Sequence, residues 1–170
     1  ECRALRAGDP PPYWAFCWGG GQALARWLLD HPDEVRGRRV VDFGAGSGVA
    51  GIAAALAGAR SVVAVDVDPL ARAAVRANAR ANGVRVGVSA AVPPGWEVLL
   101  AGDLLYERDL AGAIEAFRVQ ALRSGAGVLA GEPERPGNPG HPADPLARYG
   151  VRTFPDVDSP TATARVYRLA

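Results

Sequence analysis

Short apolar runs alternate along this chain with stretches in which apolar positions recur at helical spacing. Val40-Val41-Asp42-Phe43 is apolar but for one residue and runs into a glycine-rich turn. Ser61–Val65 is continuous and β-branched, as a strand buried on both faces should be. Between them, Val49–Ala57 is apolar and alanine-rich, and Gly58 suits the stop of a helix. Leu70–Ala81 reads as a second such helix, with Asp68 placed to cap it and Pro69 at the first helical position. Gly83 ends it, and Val84–Val88 alternates as a third strand. Trp96–Leu100 predicts a fourth strand and Val128–Ala130 a fifth. A helix over Glu107–Leu122 separates them, with Leu110, Ile114 and Phe117 on one side. Upstream, a helix is predicted from about Gly20 to Asp30, burying Leu24, Leu28 and Trp27. Downstream, Arg152–Phe154 and Ala164–Leu169 read as a late strand pair.

Strands alternating with helices predict an α/β fold, a parallel sheet covered on both faces. Ligands of such sheets bind at the carboxyl ends of the strands. The 170 residues fit one domain over 1–170, with an irregular segment at 1–18 and a proline-rich loop at 132–145. In that loop Pro133, Pro136, Pro139, Pro142 and Pro145 recur every third residue, the period of polyproline II. The plain reading is a stiff connection, and the sharper one is a wall of a substrate cleft.

Composition narrows the function classes. The net charge is +1 and all 19 basic residues are scattered arginines, which argues against a nucleic-acid-binding stripe. Arg72, Arg76 and Arg80 form a four-residue repeat that reads as a solvated helix face. Cys2 and Cys17 belong to no Cys/His cluster, so no metal site is expected. Two free thiols fit a reducing compartment. No apolar run is long enough to span a membrane, and no charged-then-apolar leader opens the chain. Methionine is absent even at position 1, which marks the chain as processed, trimmed or a fragment.

The chemistry concentrates in Val40-Val41-Asp42-Phe43-Gly44-Ala45-Gly46-Ser47-Gly48. A strand enters a turn whose glycines let a ligand approach the backbone, and the next helix opens with free N–H groups that can hold a carboxylate. Asp66 ends the following strand, where a carboxylate can accept hydrogen bonds from both hydroxyls of a ribose. Gly46–Gly51 also fits the dinucleotide pattern G-x-G-x-x-G. Against that reading, using Gly46 as the first glycine would extend the strand through Asp42 and bury an unpaired carboxylate. The chain also leaves little room for a hydride-acceptor domain.

Asp42-Phe43-Gly44-Ala45-Gly46-Ser47-Gly48 followed by Asp66 resembles the cofactor signature of class I methyltransferases. Asn78-Ala79-Arg80-Ala81-Asn82-Gly83-Val84 is similar to the N-A-x-x-N-G-V stretch before their third strand. Gly102-Asp103-Leu104-Leu105-Tyr106-Glu107 resembles the D-x-x-Y element of seven-strand protein lysine methyltransferases. Pro11–Leu24 resembles the opening of the branch that contains the lysine methyltransferases of the electron transfer flavoprotein β-subunit. The match covers roughly residues 10–131.

The resemblance implies a Rossmann-like fold: a mostly parallel seven-stranded sheet, helices on both faces and an antiparallel strand near the C-terminus. It implies S-adenosylmethionine as cofactor and S-adenosylhomocysteine as product. Gly44, Gly46 and Gly48 would cradle the methionyl part, with Ala45 in the same loop. Asp42 would reach the cofactor's amino group, directly or through water, and Asp66 the ribose. Trp18, Val67 and Ala101 would complete the pocket, and Asp103 and Tyr106 would line the methyl-transfer site. Two departures stand out: Ser89–Pro94 lacks the acidic residue that often faces the adenine amine, and Glu132-Pro133 replaces an expected Asp-Pro. The function implied is methylation of a lysine side chain on a protein, either electron transfer flavoprotein β-subunit or a ribosomal protein. No nucleic-acid or membrane partner is expected. The location implied is the cytoplasm of a bacterium, or the mitochondrion if the source is eukaryotic. Two alternatives are a small-molecule N-methyltransferase and a non-catalytic nucleotide-binding module.

Overall fold

The computed structural model describes residues 12–105, 108–134, 144–152 and 161–170, apart from the side chains of residues 108 and 109. The apolar runs become β1 (Arg39–Phe43), β2 (Ser61–Val65), β3 (Gly87–Ser89), β4 (Val98–Gly102) and β5 (Gly127–Pro133). Two further strands, β6 (Ala147–Arg152) and β7 (Thr161–Arg168), complete a seven-stranded sheet of order β3-β2-β1-β4-β5-β7-β6. The pairs among β1 to β5 are parallel, whereas β7 runs antiparallel to both β5 and β6. The order reverses between β1 and β4, which makes the carboxyl ends of those strands the natural ligand crevice.

Alternation within the central strands sorts side chains between two layers. Val40, Val62, Val98, Leu100 and Leu129 pack with Leu24, Trp27 and Leu28 of α1 (Gly19–Asp30) and Ala50 and Ala54 of α2 (Val49–Leu56). Val41, Leu99, Ala101, Val128 and Ala130 face the opposite way, against Ile114, Phe117 and Ala121 of α4 (Arg108–Ser124). Val75 of α3 (Pro69–Ala81) packs with Ala45 and Ala64, which extends the first layer. No helix among the described residues is long and apolar enough to cross a membrane.

Several boundaries differ from the sequence expectation; the fourth strand is Val98–Gly102 rather than Trp96–Leu100, and α4 is Arg108–Ser124 rather than Glu107–Leu122. The third strand is Gly87–Ser89 rather than Val84–Val88, because Val84 closes the turn that follows α3. Its N–H donates to the Ala79 carbonyl at 3.0 Å around Gly83, whose φ is +68°. That arrangement satisfies carbonyls a helix would otherwise leave bare. β5 runs on through Pro133, two residues into the segment read as a loop, because Glu132 and Pro133 pair with Arg165 and Ala164 of β7. The late strand pair is Ala147–Arg152 with Thr161–Arg168. Thr153, Phe154, His141 and the prolines at 136, 139 and 142 lie outside the described residues.

Candidate functional site at the carboxyl edge of the sheet

Parallel pairing brings Phe43, Val65 and Ala101 level, and sets Gly102 of β4 beside Gly131 of β5. The residues that follow these strands therefore emerge along one edge: the glycine loop after β1, Asp66 after β2, Asp103 after β4 and Glu132 near the end of β5. Their carboxylates make the edge acidic and matched to a cationic ligand. Among the described residues, no group of His, Cys, Asp and Glu is arranged to hold a metal ion.

Gly44, Gly46 and Gly48 have φ values of +63°, +51° and +83°. A side chain is strained in that region, so the loop needs glycine for its shape. Gly48 caps α2, and Val75 closes on it from α3: a β-carbon on Gly48 would lie 3.0 Å from Val75 Cγ2. The loop is tied at three further points. Ala45 N–H donates to the Val65 carbonyl at 3.1 Å, Gly46 N–H donates to Asp66 Oδ2 at 2.9 Å, and Asn78 Nδ2 donates to the Ser47 carbonyl at 2.8 Å.

Asp66 is half-buried and its other oxygen, Oδ1, accepts the Asp68 N–H at 2.9 Å. Arg72 Nη1 donates to the carbonyls of Asp66 and Val67 at 2.7 and 2.9 Å. Beside them Val67 is 85% exposed and Leu70 54% exposed, an apolar ledge next to a carboxylate. Such a ledge can pack a flat ring while the carboxylate takes hydroxyls.

Contrary to the sequence reading, β1 does extend through Asp42 and buries it; its carboxylate is paired rather than bare, so that ground for setting the dinucleotide pattern aside does not hold. Asp42 is 3% exposed, and Oδ2 accepts the Gly51 N–H at 2.8 Å from the first turn of α2. Burial pushes its carboxyl up to about 7, opposed by the Gly51 hydrogen bond and reinforced by the nearby charge of Asp66. Gly51 is required here, since a β-carbon would stand 2.9 Å from that oxygen. Ala101 is fully buried in the layer against α4, and Ala45 is 9% exposed within the loop.

Asp103 is the one non-glycine residue with positive φ among the described residues, at +59°. Its Oδ2 accepts the Gly21 N–H at 3.0 Å, joining the end of β4 to the first turn of α1. Backbone meets backbone there: a β-carbon on Gly20 would lie 2.1 Å from the Gly131 carbonyl oxygen, and one on Gly131 would lie 2.2 Å from that of Gly20. Cys17 lies nearby, and its thiol is pushed up by burial and then by the Asp103 charge. It stays protonated, which suppresses its sulfur as a nucleophile. Tyr106 lies outside the described residues.

The segment before α1 roofs the glycine loop. Tyr13–Ala15 forms a short 3-10 turn packed on α3, and a β-carbon on Gly46 would lie 3.8 Å from Trp14 Cα. Trp18, 37% exposed, donates Nε1–H to the Tyr13 carbonyl at 2.8 Å and meets Phe16 edge-on at 5.7 Å between ring centroids. Gln22 holds the roof to the far edge of the sheet: Nε2 donates to the carbonyls of Cys17 and Arg152, and Oε1 accepts the Arg152 N–H.

Three contributors escaped the sequence reading. Arg72 and Asn78 hold the two loops, and Glu132 Oε1 accepts the N–H groups of Leu104 and Leu105 at 2.7 and 2.8 Å, which fixes the turn after Asp103. The only sequence signal for Asn78 was its place in the N-A-x-x-N-G-V stretch.

Residues 24–111 match the ribosomal protein L11 methyltransferase (PrmA) family. The electron transfer flavoprotein beta subunit lysine methyltransferase of Rattus norvegicus is 39% identical over 137 residues, covering 76% of this chain and 54% of that protein. Its counterpart in Xenopus laevis is 40% identical over 155 residues, covering 85% and 62%. The chain thus spans little more than half the length of these curated relatives. The crystal structure of the ribosomal protein L11 methylase from Lactobacillus delbrueckii subsp. bulgaricus superposes with a TM-score of 0.55 at 19% identity, covering 87% of this chain and 78% of that one. That likeness establishes the same fold.

Proposed function

The chain belongs to the ribosomal protein L11 methyltransferase (PrmA) family, and on that premise we propose that it binds S-adenosylmethionine and methylates a lysine side chain of a protein. The observation that carries the reading is the meeting of Gly46 and Asp66, which joins a positive-φ glycine loop to a carboxylate flanked by the exposed Val67 ledge. Backbone N–H groups of the loop suit the carboxylate of the methionyl part, Asp66 suits the ribose hydroxyls, and Val67 with Leu70 suits the adenine face. The acidic edge suits both the sulfonium and the amino group of that cofactor. When bound, the cofactor supplies an activated methyl group.

The protein's own part is alignment and exclusion of water. Trp14 roofs the loop side. Asp103, 8% exposed, stands on the acceptor side, where its carboxylate can orient an incoming amine. Lysine must arrive neutral to act as nucleophile, and removing it from water on binding disfavours the ammonium form. Lysine of electron transfer flavoprotein β-subunit as acceptor is suggested by the curated relatives, and a ribosomal protein by the family match.

The test uses purified protein, methyl-labelled S-adenosylmethionine and a lysate of the source organism, with products resolved on a gel. A discrete labelled protein band, lost in Asp66→Ala and identified as methyl-lysine by mass spectrometry, supports the reading. Label confined to small molecules would assign a small-molecule N-methyltransferase instead. No transfer, with S-adenosylhomocysteine still bound, would leave a nucleotide-binding module.

A further inference from the structure

Helix α3 does more than cover the sheet. Two of its side chains reach the two loops that the reading above assigns to the cofactor. Arg72 lies in its first turns and, as helix side chains do, points back toward the helix N-terminus. There its guanidinium binds the carbonyls of Asp66 and Val67. Asn78 lies two turns on and binds the Ser47 carbonyl. Between them Val75, fully buried, packs on Gly48. The loops are themselves joined by Gly46 N–H on Asp66 Oδ2. The bonds form a closed circuit: Arg72, the Asp66 backbone, the Asp66 carboxylate, Gly46, Ser47, Asn78 and back along α3.

Such a circuit has a physical consequence. Backbone carbonyls of a loop would otherwise rotate into water, and peptide rotation swings the neighbouring N–H group with it. Holding the Ser47 carbonyl therefore fixes the direction of the N–H groups around it. Holding the carbonyls of Asp66 and Val67 fixes the direction of the Asp66 carboxylate and of the Val67 ledge. Arg76 and Arg80 share the stripe but are exposed, and neither makes a comparable backbone contact among the described residues.

We infer that Arg72 and Asn78 are positioning residues that preorganise both cofactor loops, so that these two side chains of α3 set affinity for S-adenosylmethionine without touching it. The inference rests on the cofactor reading under Proposed function. Preorganisation raises affinity by reducing the ordering cost at binding.

The experiment measures S-adenosylhomocysteine binding by calorimetry, and amide hydrogen exchange without ligand, in the parent protein, Arg72→Met, Asn78→Ala, Arg76→Met and Arg80→Met. We expect affinity about tenfold weaker in Arg72→Met and in Asn78→Ala, the loss of one to two net hydrogen bonds. Residues 44–48 should exchange faster in Asn78→Ala, and residues 66–68 faster in Arg72→Met. Arg76→Met and Arg80→Met should match the parent. In turnover assays KM for the cofactor should rise while kcat at saturation stays within about twofold, a split that general loss of folding would not give. Arg72→Lys should recover part of the affinity, because an ammonium can donate to the same two carbonyls. A parent that binds, with both variants binding equally well and exchanging like the parent, would overturn the inference. A parent that binds neither cofactor form would overturn the cofactor reading itself and this role with it.

Discussion

The Asp42 carboxylate accepts the amide hydrogen of Gly51 at 2.8 Å in a site where the aspartate is 3% exposed. Its carboxyl is raised from 3.8 to about 7, first by burial. Below pH ~4 the group is protonated in both folded and unfolded chains and contributes no pH dependence. Between pH ~4 and ~7 the unfolded chain releases a proton that the folded chain keeps, so stability falls as pH rises and levels off above. Asp42→Asn keeps an oxygen for Gly51 but cannot ionise. The melting temperature of Asp42→Asn relative to the parent should therefore rise by roughly 5 °C or more from pH 5 to pH 8. A constant difference across that range would show that Asp42 does not titrate there.

The contact between Gly20 and Gly131 leaves no room for a methyl group. Gly20→Ala or Gly131→Ala should cost ~3 kcal/mol or more, because the new carbon meets a backbone oxygen that cannot move aside. Gly112 provides the contrast, since nothing lies within 4 Å of a β-carbon there. Gly112→Ala, inside α4, should stabilise by about 0.5–1 kcal/mol. Urea unfolding of the three variants measures both effects.

Asp103 makes an anchoring bond to Gly21 and, on the proposed function, orients the acceptor amine; two substitutions separate these roles. Asp103→Asn keeps an oxygen for the Gly21 N–H and tolerates the left-handed backbone. Its stability should stay within ~1 kcal/mol of the parent, while turnover falls about tenfold or more. Asp103→Ala loses the bond and strains the backbone, at about 2–4 kcal/mol. Full turnover in a stable Asp103→Asn protein would make Asp103 an α1 anchor alone.

Glu132 holds two N–H groups in the turn after β4. Glu132→Gln retains a carbonyl oxygen for them and should unfold at a urea concentration near the parent's. Glu132→Ala removes the acceptor for both and should cost about 2–4 kcal/mol. A Glu132→Ala midpoint equal to that of Glu132→Gln would mean that those donors find other partners.

What could be read from the sequence was local. Glycine positions, strand-ending carboxylates and the alternation of apolar runs with helical spacing are properties of neighbouring residues, and they placed the loop, Asp66 and the sheet. The partners of those carboxylates are not local. Asp103 stands a few residues before a predicted helix, yet its carboxylate bonds Gly21, 82 residues away. Glu132 stood out as a departure from an expected aspartate, and its reach to Leu104 and Leu105 depends on β4 and β5 lying side by side. Arg72 looked identical to Arg76 and Arg80 because a four-residue repeat records spacing and not what lies at the end of a side chain. Asp42 was legible as an acid near the end of a strand, but β1 runs past it to Phe43 and Gly51 closes over it, which the sequence alone does not show.

The placement of β7 between β5 and β6 dictates an order of events during synthesis. Six strands can leave the ribosome before β5 acquires its neighbour on that side, and β6, whose only partner among the described residues is β7, has no ladder to join until then. Throughout that interval the buried strand β5 presents a row of unpaired backbone groups, a template for mispairing with another nascent chain. A cell that makes this protein therefore has reason to keep translation brisk over the codons up to residue 168, or to have a chaperone cover that strand while they are read.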